Sequence, residues 1–221
     1  MELKDLLRRV DHTLLSVTAT TADYVRLCNE GLDHEVACVC VPPSRVQFCA
    51  GFLAGRLKIC TVVGFPNGYS ATASKLFEAE LALEHGASEI DMVIDIGKVK
   101  DLAYTAILQD IRSVRKVTEG FVLKVIIETA LLSYDQKIAM CSVVSESGAD
   151  FIKTSTGFAS GGATFDDVAL LKEHVAPSVK VKAAGGISTL EDAFRFIALG
   201  ADRLGTSRIV KLVQGMETGG Y

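Results

Sequence analysis

FVLKVIIETALLSYDQKIAMCSVVSESGADFIKTST, residues 121–156, sets the pattern for the whole chain. A β-branched run comes first, then a segment with apolar residues at helical spacing, then a second short apolar run. That order predicts two parallel strands joined by a helix. Working outward, the same alternation recurs on both sides. Towards the N-terminus, strands are predicted over 10–15 (VDHTLL), 35–41 (EVACVCV), 58–64 (KICTVVG) and 89–94 (EIDMVI). The quoted segment itself contributes strands over 121–129 and 150–156. Beyond it lie 179–186 (VKVKAAGG) and 202–207 (DRLGTS). Helices are predicted over 20–31, 44–53, 72–86, 101–118, 133–146, 164–174 and 189–199. The first should open on a Thr20 cap and stop at Gly31.

Repeated strand-then-helix units define an α/β protein with a parallel sheet. An open doubly wound sheet usually stops at about five or six strands, and no G-x-G-x-x-G follows the early strands here. Eight units in 221 residues favour closure into a (β/α)8 TIM barrel, preceded by a short N-terminal helix. We expect one barrel domain over residues 1–221, ending in a C-terminal helix and flexible tail over 208–221. A barrel also predicts where chemistry sits, at the C-terminal ends of the strands and the loops after them.

The formal charge of −4 leaves no basic footprint for a nucleic-acid partner. Charges interrupt every apolar stretch, so no membrane span is expected, and the charged N-terminal segment is unlike a signal peptide. The six cysteines form no C-x-x-C pair and lie among apolar neighbours. This fits reduced, buried thiols and a cytoplasmic protein.

Charged residues in the second half of apolar strands are the informative ones: Asp91, Lys124, Lys153 and Lys182. A buried lysine is costly unless paired or neutralised. Taken singly, each has a bland reading as a stem packed in the barrel with its head in solvent. Four at equivalent places on the strands suggest a shared interior site. A lysine of ordinary pKa, about 10.4, is a free amine in only about 0.04% of molecules at pH 7. Two ammonium groups about 4 Å apart at an effective dielectric of about 20 repel by roughly 4 kcal/mol, enough to make one of them a nucleophile near neutrality. Asp91 then has two roles open to it: holding the second lysine charged, or relaying a proton.

Gly185 and Gly186 follow the Lys182 strand, and Ser188 or Thr189 can cap the next helix. Gly205, Thr206 and Ser207 follow the last strand. Barrels commonly hold a phosphate between these two loops, with backbone N–H groups as donors. The four histidines are scattered without metal-ligand spacing, so no metal is expected. Asp11 and Cys40 both lie at strand ends near the expected mouth. Asp11 is read equally as a ligand to a substrate hydroxyl and as a loop cap, and Cys40 more readily as a small buried hydrophobe.

Segments VDHTLL, TVVGFPNG, KLFEAELALEHGASEIDMVIDIG, LKVIIETALL, GADFIKTSTGF, VKAAGGI and RLGTS occur in the order found in the deoxyribose-phosphate aldolase family, which the chain resembles from Asp11 to Ser207. The resemblance implies a class I aldolase that reversibly cleaves 2-deoxy-D-ribose 5-phosphate to D-glyceraldehyde 3-phosphate and acetaldehyde, without metal or organic cofactor, as a homo-oligomer. It implies Lys153 as the Schiff-base lysine, Lys182 as the neighbour that tunes it, and Asp91 as a proton donor and acceptor. Gly185, Gly186, Gly205 and Ser207 would hold the phosphate, and the terminal Tyr221 would assist protonation. Ala183-Ala184 departs from the proline or serine common before the glycines. Competing expectations are a transaldolase-like enzyme and a silent barrel that only binds a sugar phosphate.

Overall fold

A computed structural model describes residues 1–215. Eight strands pair in parallel and in chain order: β1 (Val10–Thr13), β2 (Cys38–Val41), β3 (Ile59–Val63), β4 (Glu89–Val93), β5 (Val122–Ile126), β6 (Phe151–Lys153), β7 (Lys180–Ala184) and β8 (Arg203–Thr206). β8 pairs back onto β1, closing the barrel. Around it run α1 (Leu3–Leu7), α2 (Thr21–Asp33), α3 (Val46–Leu53), α4 (Thr72–Glu84), α5 (Ile96–Lys100), α6 (Tyr104–Val117), α7 (Tyr134–Ser147), α8 (Phe165–His174), α9 (Leu190–Ala198) and α10 (Ile209–Val213). The (β/α)8 barrel expected from the sequence is formed, with α1 as its N-terminal helix. Tyr221 lies outside the described residues. Among those described, no helix is long and apolar enough to cross a membrane.

Both faces of each strand are covered, which is why they read as continuous apolar runs rather than alternating ones. Outward-facing side chains such as Val39, Ile90, Val125, Ile152, Val181 and Leu204 form one core with the helices. The inward-facing set is divided. Cys38, Cys40, Cys60 and Val62 form a small apolar cluster with Leu15, against which Phe65 packs. Asp11 and the strands β4 to β8 supply charged groups to the remainder of the interior. All six cysteines are free and buried.

The departures from expectation have local causes. α2 continues past Gly31 to Asp33. A Cβ at Gly31 would lie 2.7 Å from Leu57 Cδ2 and 3.0 Å from Val39 Cγ1, so this glycine lets the helix lie close to β2 rather than ending it. Predicted helix 101–118 begins later, at Tyr104. A separate short helix, α5, precedes it, capped by Asp95, whose side chain accepts from Gly97 N at 3.0 Å. The strand predicted to Thr129 stops at Ile126. Glu128 there adopts a left-handed φ of 52°, followed by a single 3-10 turn over Thr129–Leu131.

Candidate active site

Register brings the charged side chains together. Asp91 is the β4 partner of Lys124 on β5, Lys153 on β6 is the partner of Lys182 on β7, and Lys182 is the partner of Arg203 on β8. All point into the barrel. Asp91 is the hub: its Oδ2 accepts from Lys153 Nζ and Lys182 Nζ, each at 2.7 Å, and its Oδ1 from Lys124 Nζ at 2.9 Å. Lys182 Nζ also donates to Asp11 Oδ2 at 2.5 Å. Lys124 Nζ lies 2.6 Å from Glu89 Oε2 and 3.6 Å from Asp11 Oδ2. Arg203 pairs with Asp11 at 2.5 Å and with Glu89 at 3.2 Å.

Burial opposes charge on Lys182, Lys124, Asp91 and Asp11, and ion pairing outweighs it. Desolvation would lower Lys182, but Asp11 and Asp91 raise it well above the usual lysine range. Lys124 is raised in the same way, chiefly by Asp91. Burial would raise Asp91, yet Lys124, Lys153 and Lys182 hold it well below the ordinary carboxylate range. Lys182, Lys124 and Arg203 likewise depress Asp11. Burial raises the Cys60 thiol, and contacts with Cys38, Cys40 and Lys124 bring it down to about 5. Its sulfur nevertheless lies 3.1 Å from Asp91 Oδ1, an approach that requires the proton, so in this geometry Cys60 is a neutral donor.

Carboxylate partners are unequally shared among the amines. Among the described residues, Lys124 has Asp11, Glu89 and Asp91; Lys182 has Asp11 and Asp91; Lys153 has Asp91 alone. Four cations (Lys124, Lys153, Lys182, Arg203) face three carboxylates, so the cluster carries one surplus positive charge when every group is ionised. Lys153 is the least compensated amine and also the accessible one. It is 4% exposed and lines a cleft at the C-terminal mouth, whereas Lys124 and Lys182 are fully buried beneath it.

That cleft brings together Gly185, Gly186, Gly205 and Ser207 with Lys153. Gly185 and Gly186 have φ of 82° and 77°, a consecutive left-handed pair that turns the backbone after β7 along the cleft. The loop after β6 is stitched to this turn, since Ala163 N donates to Ala184 O and Gly185 O. Gly205 is needed for space: a Cβ there would lie 3.1 Å from Lys182 Cε. Thr189 caps α9, its side chain accepting from Asp192 N.

Asp11 and Cys40 are not brought to the cleft wall. Asp11 is fully buried as an ion-pair partner inside the barrel, and Cys40, 1% exposed, sits in the thiol cluster. His12 turns outward, its Nε2 2.7 Å from Glu30 Oε2. Sequence reasoning missed Glu89, Arg203, Thr13, Thr156, Gly157 and Arg208. Glu89 and Arg203 each stand two residues before a group singled out, Asp91 and Gly205, and so share its face. That spacing was the available signal. Ligand atoms of Asp11, Cys38, Cys60 and Glu89 lie within 4.8 Å of one another, as do those of Cys40, Cys60 and Asp91. Lys124 and Arg203 already neutralise these carboxylates, so a metal ion would have to displace an internal cation.

A parallel barrel that presents one sparsely paired amine at its mouth, above a layer of fixed charges, has the parts that an enzyme of the amine-nucleophile class requires. The chain belongs to the DeoC/LacD aldolase family, whose model matches residues 6–219. It is 51% identical to the deoxyribose-phosphate aldolase of Streptococcus agalactiae serotype Ia over the whole of both chains. With that of Clostridioides difficile it shares 51% identity over 99% of this chain and all of the other. Among solved structures, the deoxyribose phosphate aldolase of Aeropyrum pernix, described as a unique tetramer, superposes with a TM-score of 0.90 at 34% identity, covering 96% of this chain and 91% of that one.

Proposed function

We propose that this protein reversibly cleaves 2-deoxy-D-ribose 5-phosphate to D-glyceraldehyde 3-phosphate and acetaldehyde through a Schiff base on Lys153. The observation that carries the reading is the position of Lys153. Among the described residues it is the amine with one carboxylate partner, on the wall of the glycine-lined cleft, in a cluster with one cation too many. Loss of one proton from Lys153 neutralises that cluster. The resulting amine attacks C1 of the open-chain aldehyde, the N–C bond forms and water leaves, giving an iminium cation that Asp91 is placed to stabilise. Removal of the 3-hydroxyl proton breaks C2–C3, and its electron pair moves into the iminium to leave an enamine of acetaldehyde on Lys153. D-glyceraldehyde 3-phosphate departs, C2 is protonated, and water hydrolyses the iminium to free acetaldehyde and the amine.

Ordered water, polarised by the buried and ionised Asp91, carries the proton transfers in this scheme. Lys182, kept charged by Asp11 and Asp91, acts mainly through its field. Gly185, Gly186, Gly205 and Ser207 hold the phosphate and orient the sugar. The buried free thiols support a reducing, cytoplasmic setting. The Aeropyrum tetramer supports a homo-oligomer, and the single closed barrel supports one domain over the whole chain.

Borohydride trapping with acetaldehyde, read by peptide mass, tests the assignment. A reduced adduct on Lys153 is expected, absent in a folded Lys153→Ala variant. An unchanged adduct in that variant, or none in the parent, would refute it. Product analysis with acetaldehyde against a ketone donor separates this reaction from transaldolase-like chemistry.

A further inference from the structure

We propose that Glu128 is a positioning residue for this reaction: it fixes Thr156 so that the threonine hydroxyl meets the substrate only as a hydrogen-bond acceptor. The inference rests on the aldolase reading above and adds a specificity element to it.

Glu128 sits two residues beyond β5, on backbone running beside that of the nucleophile. Ile127 N donates to Lys153 O at 3.0 Å and Thr129 N to Thr154 O at 2.9 Å. Its φ of 52° is uncommon for a non-glycine residue, and such residues are enriched at functional sites. The side chain is buried, 3% exposed. One oxygen, Oε2, accepts both from Thr156 N at 3.1 Å and from Thr156 Oγ1 at 2.5 Å. The other, Oε1, has no hydrogen-bond partner among the described residues. A buried carboxylate with half its acceptor capacity unused calls for an explanation beyond packing. Its two bonds both go to one residue, and that residue shares the cleft wall with Lys153.

A threonine hydroxyl has one proton to give and two lone pairs to receive with. The proton of Thr156 is directed at Glu128, and Phe158 N donates to the same oxygen at 3.1 Å. One lone pair remains. Thr156 therefore accepts from a ligand and does not donate to it, because rotating the hydroxyl would take the shorter of its two bonds from the buried carboxylate and leave it the Thr156 N–H. The group it selects carries an O–H, such as a free sugar hydroxyl, in preference to an ether or carbonyl oxygen in the same place. Without Glu128 the hydroxyl rotates freely and that preference is lost.

Two measurements on the full chain test this: borohydride trapping of acetaldehyde on Lys153, which needs no sugar hydroxyl, and kcat/KM for cleavage of 2-deoxyribose 5-phosphate. Glu128→Ala is expected to lower kcat/KM about three- to tenfold, the value of a neutral hydrogen bond between Thr156 and the substrate, while adduct yield and its pH profile match the parent. Glu128→Gln keeps a carbonyl oxygen for both Thr156 donors and should recover most of the loss. Thr156→Val reports on the same contact without touching the strained turn. It should fall as far as Glu128→Ala, and the double variant should fall no further. The inference is overturned if Glu128→Ala cleaves as well as the parent, if the adduct falls in step with cleavage, or if the two single losses multiply. A parent that forms no adduct overturns the aldolase reading itself, and this inference with it. A parent that forms one, beside any of those three results, overturns the inference alone.

Discussion

Replacing Lys182 with methionine keeps all but the terminal atom of a fully buried, unbranched side chain and deletes one cation from the cluster. Lys182 and Lys153 each contact the same Asp91 oxygen at 2.7 Å. Their nitrogens are therefore no more than about 5.4 Å apart, and at an effective dielectric of about 20 that separation is worth roughly 3 kcal/mol, or about two pH units. Two further effects act in the same direction. Asp91 loses a competitor and holds the Lys153 proton more firmly, and the remaining three cations balance three carboxylates with Lys153 still charged. The assay is the yield of borohydride-reduced acetaldehyde adduct at position 153 as a function of pH, with circular dichroism to establish that the barrel is intact. The midpoint should move about two units towards alkaline pH. A profile that coincides with the parent's, or one displaced towards acid, would show that the neighbouring charge does not set the state of the nucleophile.

Two other perturbations probe separate parts of the structure. In Gly162→Ala the new Cβ would lie 2.4 Å from Gly185 O and 3.0 Å from Gly186 N, so the stitched loops must part. KM for the phosphorylated sugar should rise about tenfold or more while acetaldehyde trapping is unchanged, and equal KM values would remove the paired glycines from substrate holding. Asp11 has a depressed folded-state pKa, so its contribution to stability is present above the unfolded carboxylate value, about 3.9, and is lost as pH falls towards the folded value. The difference in urea midpoint between the parent and Asp11→Asn should be constant from pH 7 to about 4.5 and shrink below about 4. A difference that shrinks between pH 7 and 5 would contradict the assignment.

The fold was legible because its signal is repeated. Each strand is a short apolar run and each helix has its own start residue, so errors at single boundaries, such as Gly31, did not disturb the count. The convergence of Asp91, Lys124, Lys153 and Lys182 was legible for a related reason, since a charge within an apolar strand has few places to go. Glu89 and Arg203 were hidden because they begin their strands, where a charged residue ordinarily marks the surface. Asp11 has partners from β5, β7 and β8, more than a hundred residues away in sequence, and no local pattern records such a contact. Glu128 was absorbed into a strand reading because the β-branched residues on either side of it have strand propensity. Its left-handed turn stands beside the loop after β6, to which Glu128 and Thr129 are hydrogen-bonded, and no local pattern records that contact.

The layered interior is a well with its chemistry at the rim. Asp11, Glu89, Asp91, Lys124 and Lys182 have no exposed surface, and of the cluster it is Lys153 that borders the cleft. An aldehyde that reaches the rim meets Lys153 and not the charges below it. Charges so deeply buried are screened little by dissolved salt, so the charge balance of the well should hardly change between low and high ionic strength.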